Sequence, residues 1–339
     1  MGVLSSVRLE SWIAIMITLM ACFTRLSMAA GQVFYVIAIL LSIFYIWKHR
    51  HDLYIPSYVK KYSKTFALML LLLLPSAVLT KNIAVGLPEF INVWLWRIPV
   101  FFVIALCIRD KKTLFTMLAV FFVDFGIDNL VAFYQHVSGM TDRGWGFGSS
   151  VLTISGLMVM LVPIFCVILL DSAFPNYVKV SALWALGCVG FGMYGNQSRG
   201  SWLFSMIMVP IVSLPYILKR FIYVVVVLAA LGGVVWGFST QPQYVARFES
   251  ITNTTTDGSN LGRFDVWTSS INMFKDHPVT GVGIGQWRTI YEASYRLPTE
   301  NQHLYHAHNN FIQLLGEVGL LGLLGVLIFY GSIVVDNFV

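Results

Sequence analysis

Three histidines, His303, His306 and His308, fall within six positions of the stretch HLYHAHNNFIQLLGEVGLLGLLGVLIFY, and the chain runs from them straight into an apolar segment. An imidazole near its free pKa can remove a proton at neutral pH, which suits it to general-base work. It is also the commonest metal ligand, and a catalytic zinc needs three protein ligands. Three imidazoles are nominally present, but no H-E-x-x-H spacing occurs and acidic residues are sparse nearby. Proton transfer is the leading reading, with metal ligation and polar packing at a membrane interface as the alternatives. His308 and Asn309 stand at the edge of the apolar segment. Behind them Gly316, Gly319, Gly322 and Gly325 recur every third residue, which predicts a smooth helix surface that another helix can approach closely.

Arginine is the second residue type placed for chemistry. Arg199 lies in YGNQSRGSWLF, Arg143 in TDRGWGFGSS, and Arg263 and Arg288 in the long segment before the histidines. A planar guanidinium grips phosphate oxygens in a two-pronged fork that an ammonium cannot reproduce. Pairing with carboxylates of the same loops, or snorkelling at the interface, is the plainer reading for any single one. Asp124 and Asp128 lie one turn apart in FFVDFGIDNLVAFY. Such a pair suits a proton relay, but its depth, level with Arg25 and Arg97, favours ion pairing or support of a site.

The elements that must carry these residues are membrane helices. Charged residues make up 11% of the 339-residue chain and hydrophobic ones 57%, whereas a soluble domain carries about 25% charged residues. About 20 apolar residues span a bilayer as a helix. Ten candidate spans follow, at 12–29, 31–47, 66–80, 93–108, 113–134, 150–170, 178–195, 201–218, 221–238 and 310–333, so the expected fold is an all-α polytopic membrane protein. The first span is read as a retained helix rather than a cleaved signal. Cys22, Cys107, Cys166 and Cys188 all fall in apolar segments and are read as packing residues.

Lys and Arg gather on the cytoplasmic side. With the N-terminus inside, the inner loops hold 12 of the 22 basic residues, eight of them Lys, while eight of the ten outer ones are Arg. The outer face is therefore expected to contact anions. The expected organisation is a bundle of about nine helices over 1–238, an outer loop region over 239–308 and a final helix over 309–339. Within the loop, Phe264, Trp267, Ile271 and Phe274 recur at helical spacing, with Ser259 or Asn260 as N-cap and Pro278 past the end. This predicts an amphipathic helix on the membrane surface or over the bundle, with Arg263 in its first turn among unpaired N–H groups. GVGIGQW follows a helix rather than a strand, so it reads as a turn and not as a nucleotide fingerprint.

A base, several phosphate-binding arginines and a covering helix on the outer face suit a lipid-linked pyrophosphate donor. No ATP motif is present, and the donor's own phosphate ester supplies the driving force. HAHNNFIQLLGEVGLLG, NQSRGSW and GRFDVWTSSINMFKDHPVTGVGIGQW, with a long outer loop before the last span, resemble the bacterial O-antigen ligase family, over about residues 140–325 by motif. That superfamily also contains O-antigen and capsule polymerases and protein O-oligosaccharyltransferases.

The resemblance implies metal-free, cofactor-free transfer of a glycan from undecaprenyl pyrophosphate on the periplasmic face of the bacterial inner membrane. It implies His308 as the essential histidine with His306 as its neighbour. Arg199 and Arg263 are implied as pyrophosphate contacts, with Arg143, Arg288 and Asn309 as further substrate-binding candidates. Expected partners are the undecaprenyl pyrophosphate-linked O-antigen as donor, lipid A–core as acceptor and the lipid bilayer, with no nucleic acid. Members typically run through about two further spans after the histidine-bearing helix, beyond the point corresponding to Val339. The rivals are a polymerase whose acceptor is another lipid-linked repeat and, in a different class, a proton-coupled transporter using Asp124 and Asp128. A transporter predicts pseudo-symmetric halves, and no internal repeat is evident.

Overall fold

The computed structural model describes residues 2–148, 150–217, 242–250, 253, 257–298, 300 and 304–336, and these are helical throughout, joined by turns. In chain order the helices are α1 (Gly2–Leu26), α2 (Met28–Lys48), α3 (Ser57–Val78), α4 (Ile83–Phe90), α5 (Pro99–Cys107), α6 (Lys111–Val137), α7 (Val151–Leu170), α8 (Asn176–Asn196), α9 (Arg199–Ile217), α10 (Pro242–Glu249), α11 (Gly258–Asp276), α12 (Trp287–Ile290) and α13 (Asn310–Asp336). Eight stretches among the described residues are helical, long and apolar enough to cross a membrane. The protein is thus an all-α, multi-pass membrane protein. The expected span at 221–238 and His303 lie outside the described residues.

Several boundaries differ from the sequence reading, for local reasons. The third span begins at Ser57 rather than 66, because Lys60, Lys61 and Lys64 continue the helix instead of ending it. The fourth is interrupted: α4 passes into a π-helical turn at Ile91–Leu95, and a new helix starts at Pro99. Proline lacks an N–H and disfavours a helical residue before it, so a helix begins there but does not run through.

Two compact units share the chain. One comprises residues 1–51 and 107–251, the other 52–106 and 252–339. The first unit packs α6, α7 and α8 around Phe122, Phe125, Ile154, Met158, Phe165 and Val178. Arg25, at the end of α1, pairs there with both Asp124 and Asp128 of α6. Its guanidinium also lies 5.6 Å from the centre of the Phe125 ring. Charges this deep are tolerated when paired, so the arrangement supports the ion-pair reading of the two carboxylates over a proton relay.

The second unit packs α3 against α13 through Phe66, Met69, Leu73, Val318, Val326 and Phe329. The glycine face of α13 does admit close neighbours, but the helix is not continuous. At Gly319, φ is +65° and ψ −165°, and the helix breaks. The carbonyls of Gly316 and Glu317 would ordinarily accept from the N–H groups of Leu320 and Leu321. Instead they accept from Val282 and Gly283 at 2.9 Å each, while Leu320 donates to Pro278 and Leu321 to Val279. The glycine-rich turn, inserted from about 35 residues earlier, thus takes over the four backbone groups that the break releases.

Only glycine serves at the break. A Cβ at 319 would sit 2.5 Å from both the Gly281 nitrogen and the Val279 oxygen, and the backbone conformation itself is one that side chains avoid at a cost of about 1–3 kcal/mol. Gly319→Ala is expected to lower the melting temperature of the purified protein in detergent by several degrees. An unchanged melting curve would mean that α13 can run straight without loss.

Candidate active site

The second unit carries the histidines. Asn309 caps α13: its Oδ1 accepts from the N–H groups of Phe311 at 3.0 Å and Ile312 at 3.2 Å, as N-cap side chains do. Immediately before it His308 adopts φ +51°, a left-handed conformation that turns the chain away from the helix axis. Ala307 is buried and held from two sides. Its N–H donates to Oε1 of Gln313 at 2.8 Å, and its carbonyl accepts from Nε1 of Trp267 at 2.7 Å. It sits in a core of Val266, Met273, Val282, Trp287 and Tyr291. Anchoring the residue between them presents His306 and His308 together, with ring centres 4.0 Å apart and planes at 43°.

Electrostatics fix their protonation. Desolvation pushes the His308 pKa down to about 4, assisted by His306 and by the guanidinium of Arg263. His306 is lowered by desolvation too. Both rings are therefore neutral at neutral pH, the form a general base requires. Arg263 lies close enough for its charge to act on His308, but its place on its helix differs from the expected one. The N-cap of α11 is Asp257, whose side chain accepts from the N–H of Asn260, so neither Ser259 nor Asn260 caps it. Arg263 is then the sixth helical residue, past the unpaired N–H groups, and acts through its own charge.

The helix α11 packs on the rest of its unit through a face other than that of Phe264 and Ile271. Val266, Ser269, Ser270 and Met273 are buried, Phe264 and Ile271 are exposed, and Trp267 turns partly inward to Ala307. The small serines let the helix approach its neighbours closely, which leaves Phe264 and Ile271 on the outward side.

Arg288 stacks over Tyr305, its guanidinium carbon 4.0 Å from the ring centre, and pairs with Glu292 at 3.1 Å. It thus borders the histidine loop. A carboxylate that the sequence reading passed over lies in the same unit. Glu300 is buried and accepts from the Tyr291 hydroxyl, and burial, followed by the charge of Asp265, raises its pKa. Tyr295 donates to Asp276 at 2.7 Å and is itself pushed up to about 12, chiefly by burial. No helical or strand period links these partners, so spacing gave no signal for them.

Arg143 and Arg199 belong to the first unit. Arg143 donates from Nε to the Asn196 carbonyl at 2.9 Å. The Asn196 side chain in turn donates to the carbonyls of Gly144 and Val151. Asp128 accepts from the Phe147 N–H at 2.6 Å, so the Arg25 ion-pair network also secures this loop. Gln197 closes α8 in a left-handed conformation, and Arg199 opens α9 with its guanidinium donating to the Ser250 hydroxyl. The loop of Arg143 is thereby docked against the turn that leads into Arg199.

Comparison with known proteins gives a family: residues 182–327 match the model described as O-antigen ligase, a stretch that includes Arg199, Arg263, Arg288, His306, His308 and most of α13. No curated protein matches the chain.

Proposed function

From the membership of residues 182–327 in the O-antigen ligase family, we propose that the protein is an O-antigen ligase. In this reading it transfers the glycan from undecaprenyl pyrophosphate to a sugar hydroxyl of lipid A–core, on the periplasmic face of the inner membrane. The observation that carries the catalytic part is the pair of imidazoles, His306 and His308, with ring centres 4.0 Å apart, presented by the anchored Ala307 at the capped start of a membrane helix. His308 accepts the proton of the acceptor hydroxyl as its oxygen attacks the anomeric carbon. The bond from that carbon to the pyrophosphate oxygen breaks from the opposite side, which inverts the centre. Arg263 receives the charge that develops on the departing pyrophosphate, where preorganised donors are worth most, and the family resemblance alone adds Arg199 as a further pyrophosphate contact. Arg288, stacked on Tyr305 at the histidine loop, is a further substrate contact, Arg143 is carried only by the resemblance, and Asn309 fixes the helix end from which His308 projects.

A polymerase would use the same donor chemistry with a second lipid-linked glycan as acceptor. The HAHN form and the compact outer loop favour the ligase. The deciding test is deletion of the gene in a host that makes smooth lipopolysaccharide, with gel analysis and extraction of lipid-linked glycan. A ligase deletion is expected to show bare lipid A–core while long O-antigen chains accumulate on undecaprenyl pyrophosphate, reversed by complementation. Core bearing a single repeat would identify a polymerase instead.

A further inference from the structure

Gln313 and Glu317 lie one turn apart on α13, and neither is placed to transfer a proton or hold a leaving group in the mechanism above. Their hydrogen bonds nonetheless run in a directed series. The N–H of Gly285, in the glycine-rich insert, donates to Oε1 of Glu317 at 2.6 Å. Oε2 of Glu317 accepts from Nε2 of Gln313 at 2.8 Å. With its NH2 turned to the carboxylate, the Gln313 amide must present Oε1 in the other direction, where it accepts the Ala307 N–H at 2.8 Å. Ala307 is the residue between the two histidines. The Ala307 N–H, which can only donate, and the Glu317 oxygen that accepts the NH2 together fix which way the amide faces, because an amide has one end of each kind.

We propose that Glu317 and Gln313 are positioning residues for His308, linking the glycine-rich insert to the histidine loop. The inference rests on the reading of His308 as the base. The histidine loop has no regular secondary structure of its own around Ala307, so its geometry depends on such side-chain bonds. A displacement of about 1 Å at a reacting group can cost about 100-fold in rate.

The series can be broken and remade with isosteric changes. In Glu317→Gln the new amide keeps its oxygen on the Gly285 N–H and turns its NH2 toward the NH2 of Gln313. Two donors then face each other. If Gln313 flips to relieve this, it points its NH2 at the Ala307 N–H and loses that bond instead. In the double variant Gln313→Glu with Glu317→Gln, the carboxylate at 313 accepts from both the new amide and Ala307, so every bond in the series is restored with the same net charge.

The experiment measures in vitro transfer from lipid-linked glycan to lipid A–core by the full-length membrane protein, normalised to folded protein, across pH. Glu317→Gln is expected to lose about 10- to 100-fold in kcat. The acid limb of its kcat/KM profile is expected to move upward from about pH 4, since a loosened loop admits water to the ring and weakens desolvation. The double variant is expected to recover most of the rate and the original limb. A merely structural role would scale the amount of active protein and leave the limb in place. A wild-type rate in Glu317→Gln, or a double variant as impaired as the single one, would overturn the proposal. His308→Asn, run alongside, separates the two ideas. If it is inactive while Glu317→Gln is normal, the base stands and only the positioning pair falls.

Discussion

His308→Ala is expected to lower glycan transfer by about 100-fold or more, the usual scale for losing a general base, while the protein still reaches the membrane folded. The structure suggests how to keep that result interpretable. His308 sits at φ +51° directly before the cap of α13, a conformation that alanine adopts only at a cost of about 1–2 kcal/mol. Asparagine visits this region more readily and has no basic nitrogen. His308→Asn should therefore be as inactive as the alanine variant but better preserved in fold.

His306 provides the internal control. Its ring is in contact with that of His308, so His306→Ala should reduce activity less, through the position of its neighbour. Full lipopolysaccharide laddering in both His308 variants would remove the residue from the mechanism. A complete loss confined to His306→Ala would move the assignment one ring over.

How much of this was legible in the sequence depends on the range of the forces involved. The membrane helices follow from composition, because burial in lipid is a property of a stretch and not of its contacts. Motif resemblance singled out both Arg263 and His308, but that the charge of Arg263 reaches His308 is not legible in any local pattern, since the two lie 45 residues apart. Local pattern failed where distant backbone groups compete. Gly316, Gly319, Gly322 and Gly325 read as one uninterrupted helix face, and the break at Gly319 becomes favourable only because the 278–283 segment supplies replacement hydrogen bonds. For Asp124 and Asp128 the shared face and the depth level with Arg25 were evident and ion pairing was the favoured reading; the pattern left open only which cation, and Arg25 serves both from 99 and 103 residues away. Asn309 was singled out only as a substrate contact, whereas its Oδ1 caps α13, a local function that the sequence pattern of an N-cap already encodes.

Arg263 gives the second large expected effect, and it can be read in two independent ways. Removal of one donor aimed at developing negative charge costs about 100- to 1,000-fold in kcat, and Arg263→Gln is expected to fall in that range. Arg263→Lys should remain strongly impaired although the charge is kept, since an ammonium cannot engage two phosphate oxygens at once.

The pH profile carries the second reading. In the free enzyme His308 is held down to about 4 in part by the Arg263 charge. The acid limb of kcat/KM, which reports the free enzyme, should therefore lie near pH 4 to 5 in the wild type rather than near the usual imidazole value of about 6.5. Removing the positive charge raises the His308 pKa, so the limb should move upward in Arg263→Gln and stay nearly in place in Arg263→Lys. Binding of the anionic pyrophosphate acts in the same direction as removing the charge. The limb of kcat, which reports the complex, should then lie above that of kcat/KM, making His308 a stronger base only once the donor has arrived. If Arg263→Gln transfers at the wild-type rate with an unmoved limb, Arg263 is neither a pyrophosphate contact nor a neighbour that matters to His308, and the leaving group must be held elsewhere.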